Sequence, residues 1–375
     1  MEGDAAVSRS PLFTPSAVDA AELDASTVGR TDLLDTLTAR IAAAARDGSR
    51  PHTLLVAPRG AGKTHTVRVA VHRALSDAAT AEHVLPVMVS EDSLAIGSYP
   101  DLLVEMARAI GPEIGGEARV LRNARDPVGI EALIVGAAAG RMILLAVENL
   151  DRVFDAIGPT GQGSLRAWVE TSTVIMVLAT SPALFPGVSS REFPWYGSFI
   201  IETLSELTVA DAADLLRGEA RRRGDAGLET YVGSVDGRAR VADVHRIIGG
   251  TPRMWHLLAE CADEATLRAL TPAVDAVLDR LAPHYQHQLW QLPPGEQRLV
   301  VELARGSQPR SVSELAHRVG ASNQSASAAL GRLAAGGWVT SSKAGGDRRT
   351  SWYDLTDPLL RSYLQYRERE TAARP

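Results

Sequence analysis

Short apolar runs bounded by turn residues recur along the first two hundred positions, and stretches with helical spacing separate them. The runs Thr53–Val56, Val84–Val89, Ile143–Val147, Val174–Thr180 and Phe199–Thr203 have the length of strands. Residues 143–147 are apolar throughout, as a strand covered on both faces must be. Strands alternating with helices predict a parallel sheet with crossover helices, an α/β core. The first twenty-odd residues are rich in Ala, Ser, Pro and Asp and show no sustained period. They predict a flexible lead-in over 1–25, with folding starting near Val28.

After Leu207 the pattern becomes wholly helical, with apolar residues at helical spacing over Val209–Arg223 and Val241–Leu270. The Pro293-Pro294-Gly295 break precedes three helical patterns, Glu296–Ala304, Val312–Val319 and Asn323–Ala335. A hairpin pattern runs from Trp338 to Leu355, and a last helix from Pro358 interleaves apolar and aromatic residues, for which packing against its neighbours is the plain explanation. These changes divide the chain into a lead-in (1–25), a core (26–206), a helical segment (207–284) and a terminal module (285–375).

Composition adds boundaries to this picture. With 45% hydrophobic and 22% charged residues, the 375-residue chain has the make-up of an ordinary globular protein. Its single cysteine, Cys261, excludes an internal disulfide and a multi-cysteine metal site, and points to a reducing compartment. The N-terminus, Met1-Glu2-Gly3-Asp4, lacks the basic-then-apolar pattern of a signal peptide. The longest apolar stretch, Leu133–Val147, is interrupted by Arg141 and is too short to span a bilayer. A cytoplasmic protein with no membrane partner is the expectation. The net charge of −6 conceals an asymmetry, because 295–375 holds twelve Lys/Arg against eight Asp/Glu.

The chemistry concentrates at the end of the first strand. Leu54-Leu55-Val56-Ala57-Pro58-Arg59-Gly60-Ala61-Gly62-Lys63-Thr64 reads as a buried strand, a small-residue loop and a helix start, the context a phosphate loop requires. Gly60 and Gly62 let backbone N–H groups curl around phosphate oxygens, and the helix N-terminus adds its positive dipole end. Pro58, Arg59, Gly60, Ala61, Gly62, Lys63, Thr64 and His65 are therefore the candidate nucleotide contacts. Lys63 is expected to reach the β- and γ-phosphates and the Thr64 hydroxyl to ligate Mg²⁺. The full motif opens on glycine where this chain has Ala57, which predicts an altered loop entry. The apolar run 142–147 ends in Glu148-Asn149-Leu150-Asp151, where an acid would hold Mg²⁺; Glu148 takes that place. Asn149 stands where such ATPases carry a glutamate, and an amide cannot accept a proton from water. Either hydrolysis of ATP to ADP and phosphate is slow, or Asp151 or Glu148 supplies the base.

Together these residues resemble the AAA+/STAND superfamily of P-loop ATPases, most closely its prokaryotic branch with an origin-recognition-like core and a C-terminal winged helix. The resemblance implies an AAA+-type parallel sheet core, a helical lid over 207–284 and a winged-helix domain. It places Gly29 and Arg30, in Val28-Gly29-Arg30, beside the adenine. It makes Thr180, with Ser181 second, the polar sensor at the end of the fourth strand. It makes Arg253, in Gly249-Gly250-Thr251-Pro252-Arg253, the lid arginine that returns to the phosphates. The plain alternative for that motif is a helix cap followed by a proline-started helix. Arg191 is the candidate for an intersubunit arginine finger. The terminal module is similar to MarR-like winged helices, with Asn323, Gln324 and Ser325 at the outward N-terminal end of the second helix and Lys343, Arg348 and Arg349 on the wing.

The leading expectation is a switch in which ATP and Mg²⁺ binding, with slow hydrolysis, controls engagement of duplex DNA, with homo-oligomer formation as one version. Such a switch fits transcriptional control, replication-type loading or antiphage defence. The alternative is a non-hydrolysing nucleotide-binding adaptor whose winged helix docks a protein effector. A metabolic kinase fits less well, because no acceptor-substrate domain is evident.

Overall fold

The computed structural model describes residues 18–91, 96–306, 308–344 and 347–373, without the side chains of residues 284, 343, 344, 347–350, 358, 359, 370, 372 and 373. Contacts divide the chain into two units, one ending at Leu207 and the other beginning at Thr208.

The first unit opens with α1 (Ala20–Ala25), α2 (Thr31–Asp47), β1 (Thr53–Val56), α3 (Lys63–Leu75), α4 (Ala78–Ala81) and β2 (Val84–Val89). Three helices follow, α5 (Tyr99–Ile110), α6 (Pro112–Asn123) and α7 (Pro127–Ala138), before β3 (Met142–Val147). The unit closes with α8 (Leu150–Ser172), β4 (Ile175–Ser181), α9 (Pro186–Ser189) and β5 (Ile200–Thr203). The five strands lie in the order β2-β3-β4-β1-β5, every pair parallel. Each coincides within a residue with a run read from the sequence.

The sheet is covered on both faces, and the strand period of two sorts its side chains between them. Leu54, Ile143, Leu145, Val147, Ile175, Val177 and Ala179 pack into one core with residues of α5, α7 and α8. Leu55, Met142, Leu144, Ala146, Met176 and Leu178 pack into the other with residues of α2 and α3. Ordered structure starts before the expected Val28. The Asp19 carboxylate caps α1 by accepting from the Ala21 and Glu22 N–H groups, Leu23 is buried, and Arg73 pairs with Asp24 at 2.8 Å. A capped single turn held by an ion pair carries no long hydrophobic period, so the pattern missed it.

The second unit contains α10 (Val209–Arg223), α11 (Ala226–Gly233), α12 (Val235–Ile248), α13 (Pro252–Cys261), α14 (Glu264–Ala269) and α15 (Thr271–Trp290). Then come α16 (Pro294–Arg305), β6 (Arg310–Ser311), α17 (Val312–Val319), α18 (Asn323–Ala335), β7 (Val339–Ala344), β8 (Asp347–Leu355) and α19 (Pro358–Ala373). The expected helical stretch 241–270 is three helices: Gly249 takes φ 73° after α12, and Asp263 caps α14 with its side chain after α13 ends. Small antiparallel pairings β6-β8-β7 complete the winged helix. The buried Glu302 carboxylate ties it together, meeting Arg305 at 3.0 Å, Arg318 at 3.2 Å and Arg310 at 3.5 Å. The Tyr285 hydroxyl donates to Asp357 and that of Tyr366 to Asp279, so α15 and the C-terminal helix are fastened to each other within one unit. Cys261 is half-buried, its thiol donating to the Leu257 carbonyl.

Trp255 is fully buried in α13 and its indole N–H donates to the Gly249 carbonyl at 2.9 Å. Trp255→Ala removes a large side chain and a buried hydrogen bond together, which costs about 3–5 kcal/mol. Urea unfolding of the full chain followed by circular dichroism should show that loss; a change below about 1 kcal/mol would contradict this placement of Trp255 in the core.

Candidate nucleotide site and winged helix

The loop between β1 and α3 is shaped by Gly60 (φ 81°) and Gly62 (φ 86°), both in the left-handed region that favours glycine. Ala57 takes no positive φ. Its N–H donates to the Ser181 carbonyl at 3.2 Å, continuing the β1–β4 pairing, so the loop is entered in ordinary backbone that alanine tolerates. The altered entry expected from the missing glycine does not arise.

Lys63, the first residue of α3, is buried, and its ammonium donates to the carbonyls of Ala57 (2.6 Å) and Pro58 (3.1 Å). Burial, reinforced by the Arg59 guanidinium, brings its pKa down to about 8, against the attraction of Asp151, Glu91 and Glu148. Three carboxylates from two segments, the one beyond β2 and the one beyond β3, thus act on one lysine. Pro58 and Arg59 are exposed on the loop; Gly60, Ala61, Gly62, Thr64 and His65 are half-buried. The His65 ring nitrogen lies 2.8 Å from the Thr27 hydroxyl, tying the segment before α2 to the first turn of α3. Gly29 (φ 68°) and Arg30 (φ 58°) follow in that segment, and Arg30 donates to the Ser205 carbonyl at 2.8 Å.

Glu148 is buried at the end of β3, where one carboxylate oxygen accepts the Glu91 N–H at 3.1 Å. Asn149 caps α8 in the left-handed conformation (φ 50°), which asparagine adopts more readily than most residues. Its N–H donates to the Thr180 hydroxyl at 3.1 Å and its amide to the Glu91 carboxylate at 2.8 Å. Asp151 sits in the first turn of α8; burial raises its pKa, and its Oδ1 has no hydrogen-bond partner among the described residues. Thr180 and Ser181 are buried at the end of β4, the Ser181 hydroxyl donating to the Ala183 carbonyl at 2.6 Å. The structure therefore brings Lys63, Glu148, Asp151 and Thr180 together at the C-terminal ends of the strands, where open α/β sheets place ligands. Arg191 follows α9, its guanidinium 5.8 Å from the Tyr196 ring centroid.

Among the described residues no group of three His, Cys, Asp or Glu side chains forms a ready-made metal cage. A magnesium ion carried on a nucleotide does not need one, since it keeps several waters and takes one or two protein oxygens beside the phosphates. The hydroxyl of Thr64, the Glu148 carboxylate and the unpartnered oxygen of Asp151 fit that demand.

In the second unit, Arg253 is half-buried in the first turn of α13, near Tyr285. That helix starts at Pro252 and follows the glycine cap of α12 at Gly249. Asn323, Gln324 and Ser325 are exposed at the start of α18, while Leu330 and Leu333 are buried beneath them. Lys343, Arg348 and Arg349 lie on β7 and β8, but their side chains are outside the described residues, as are Gly345 and Gly346 between them.

Among solved structures, the chain is similar to the ORC2 protein of Aeropyrum pernix, solved as ADPNP-ADP complexes, at 14% identity over 92% of this chain and 95% of that one, with a TM-score of 0.62. It is similar to the Walker-type ATPase of Pyrococcus abyssi at 13% identity, over 90% of this chain and 98% of that one (TM-score 0.57). The ORC1 protein of Aeropyrum pernix in complex with DNA matches at 16% identity, over 93% and 94% (TM-score 0.51). The MarR family model matches residues 290–350. The fold is that of an AAA+ ATPase ending in a MarR-like winged helix. No curated protein matches the sequence. No helix among the described residues is long and apolar enough to cross a membrane.

Sequence reading of the AAA+ core missed Glu91, the residue beyond β2 that contacts both Glu148 and Asn149. Nothing in its local sequence marks it; only the pairing of β2 with β3, Val89 opposite Val147, brings it there. Thr180→Val keeps the shape of the side chain but leaves the buried Asn149 N–H without its acceptor, a loss of about 1–3 kcal/mol. Denaturant titration of the full chain checks this, and an unchanged midpoint would mean that the Asn149–Thr180 bond does not hold the ends of β3 and β4.

Proposed function

We propose that the chain is an ATP-dependent molecular switch whose winged helix engages duplex DNA. The observation that carries this reading is the buried Lys63, facing three carboxylates above a glycine loop at a helix N-terminus. A cation kept in the interior on two backbone carbonyls is poised for an anion that offers more than those carbonyls do. Phosphates of ATP or ADP would take the Gly60–Thr64 N–H groups and the Lys63 ammonium. The Thr64 hydroxyl and Glu148 would hold the Mg²⁺, which offsets phosphate charge when bound. Gly29 and Arg30 would flank the base, Thr180 would sense the γ-phosphate through the hydrogen bond it now makes to Asn149, and Arg253 would supply a lid contact. A difference in lid contact between ATP and ADP is what would let the nucleotide control the attached winged helix. Arg191 would act across a subunit boundary if the switch assembles into a homo-oligomer.

The relatives of this fold include one solved in complex with DNA and one with ADPNP and ADP. DNA contact in this chain would divide between base edges, met by Asn323, Gln324 and Ser325 at the start of α18, and phosphates, met by the wing. Of the exposed residues of α18, Asn323, Gln324, Ser325, Ser327, Ala328 and Gly331 are uncharged, and Arg332 is paired with the buried Glu296 at 2.7 Å. Lys343, Arg348 and Arg349 would supply the phosphate contacts of the wing, which make binding salt-dependent. The same uncharged face favours the second reading, a nucleotide-gated adaptor whose α18 docks a protein effector; a stable protein complex with no affinity for DNA would select it.

Two outcomes test the switch. The pKa of about 8 at Lys63 leaves the ammonium charged at pH 7 and mostly neutral at pH 9. ATP stabilises the charged form, so the affinity measured by titration calorimetry should fall about tenfold from pH 7 to pH 9, with proton uptake at the higher pH. Lys63→Ala should abolish binding at both; normal affinity in that variant would remove the phosphate-loop assignment. Arg348→Ala with Arg349→Ala should weaken DNA binding and reduce the slope of log affinity against log salt by about 1–2. An unchanged slope would exclude the wing from the interface.

A further inference from the structure

Asn149 occupies the position at which a carboxylate would activate the attacking water, yet its amide is not idle. It donates to Glu91 Oε2 at 2.8 Å, across the ends of the paired strands β2 and β3. The Glu91 backbone N–H in turn donates to the carboxylate of Glu148 at 3.1 Å. Glu91 is thus held by one neighbour through its side chain and by the other through its backbone, and its carboxylate lies near enough to Lys63 to act on the ammonium. It is also solvent-exposed, whereas Asn149 and Glu148 are buried, and the Oδ1 of Asp151 is closed off from solvent.

We infer that Glu91 is the general base for ATP hydrolysis, with Asn149 as the residue that positions it. The inference rests on the nucleotide reading of the site given above. In the step assigned to it, the water oxygen forms a bond to the γ-phosphorus as its proton passes to Glu91. The bond from the γ-phosphorus to the bridging oxygen breaks, and ADP leaves with that electron pair. Glu91 then returns the proton to solvent, leaving ADP and inorganic phosphate with every atom accounted for. The acid stands two residues beyond β2, and the amide that fixes it stands two residues beyond β3. An asparagine after β3 is then compatible with turnover, because the proton acceptor has a different address. Its left-handed backbone at φ 50° also suits asparagine better than glutamate.

The test uses the full-length protein, with direct titration of ATP and steady-state release of phosphate measured on the same samples. Glu91→Gln keeps the hydrogen-bonding reach of the side chain but cannot take a proton. Its kcat should fall about 100-fold, as loss of a general base does, with ATP affinity within about twofold of the parent. The exchange Glu91→Asn with Asn149→Glu returns an acid to the site with its amide partner and should recover at least part of the lost turnover. Parent-like kcat in Glu91→Gln with ATP bound normally overturns the assignment, as does a parent protein that binds ATP without turning it over; in both cases the nucleotide reading stands. A parent protein that does not bind ATP overturns that reading and this inference with it.

Discussion

The ammonium of Lys63, buried at the end of β1 and held on the carbonyls of Ala57 and Pro58, is the interaction on which the arrangement of the first unit depends. Desolvating a cation is costly, and two carbonyls and the field of three nearby carboxylates compensate only in part, which is why its proton is held weakly. The parallel sheet makes this arrangement available. It stacks the C-terminal ends of β1, β3 and β4 side by side, so that a loop, an acid and a hydroxyl from distant parts of the sequence reach one point. The two apolar cores, one on each face, hold the strands rigidly enough for that point to be well defined.

What could be read from the sequence follows from the range of the signals. The five strands were legible because each is a short apolar run, and β1 and β2 match their runs residue for residue. The phosphate loop was legible because its glycines, lysine and threonine are consecutive. Glu91 was not, since its importance comes from the register that sets Val89 opposite Val147, and no local pattern encodes that register. The breaks inside 241–270 were obscured for a related reason: Gly249 and Asp263 punctuate an otherwise continuous helical period, and period alone does not show where one helix stops. Ala57 shows the opposite case, a departure from motif that costs nothing because the backbone there is ordinary.

The second unit depends on polar anchors within a largely helical assembly. Glu302, buried among three arginines, joins α16 to β6 and α17, and removing the carboxylate would take from Arg310, itself mostly buried, the buried one of the two carboxylates it pairs with, Glu302 and Glu314. Pairs such as Tyr285 with Asp357 and Tyr366 with Asp279 bind the helices before and after the winged helix to one another. A winged helix fastened in this way to its neighbouring helices can be moved with them, which is the mechanical requirement of any switch that acts through it.

The most direct measurement is amide hydrogen exchange across the full chain with and without Mg²⁺-ATP, read at the peptides spanning 57–66 and 145–152. If the loop cradles phosphates, exchange at Gly60–Thr64 slows on adding nucleotide, because those N–H groups become donors to the ligand, and Lys63→Ala abolishes the effect. Exchange in those peptides that is unchanged at saturating ATP would contradict the account at its centre.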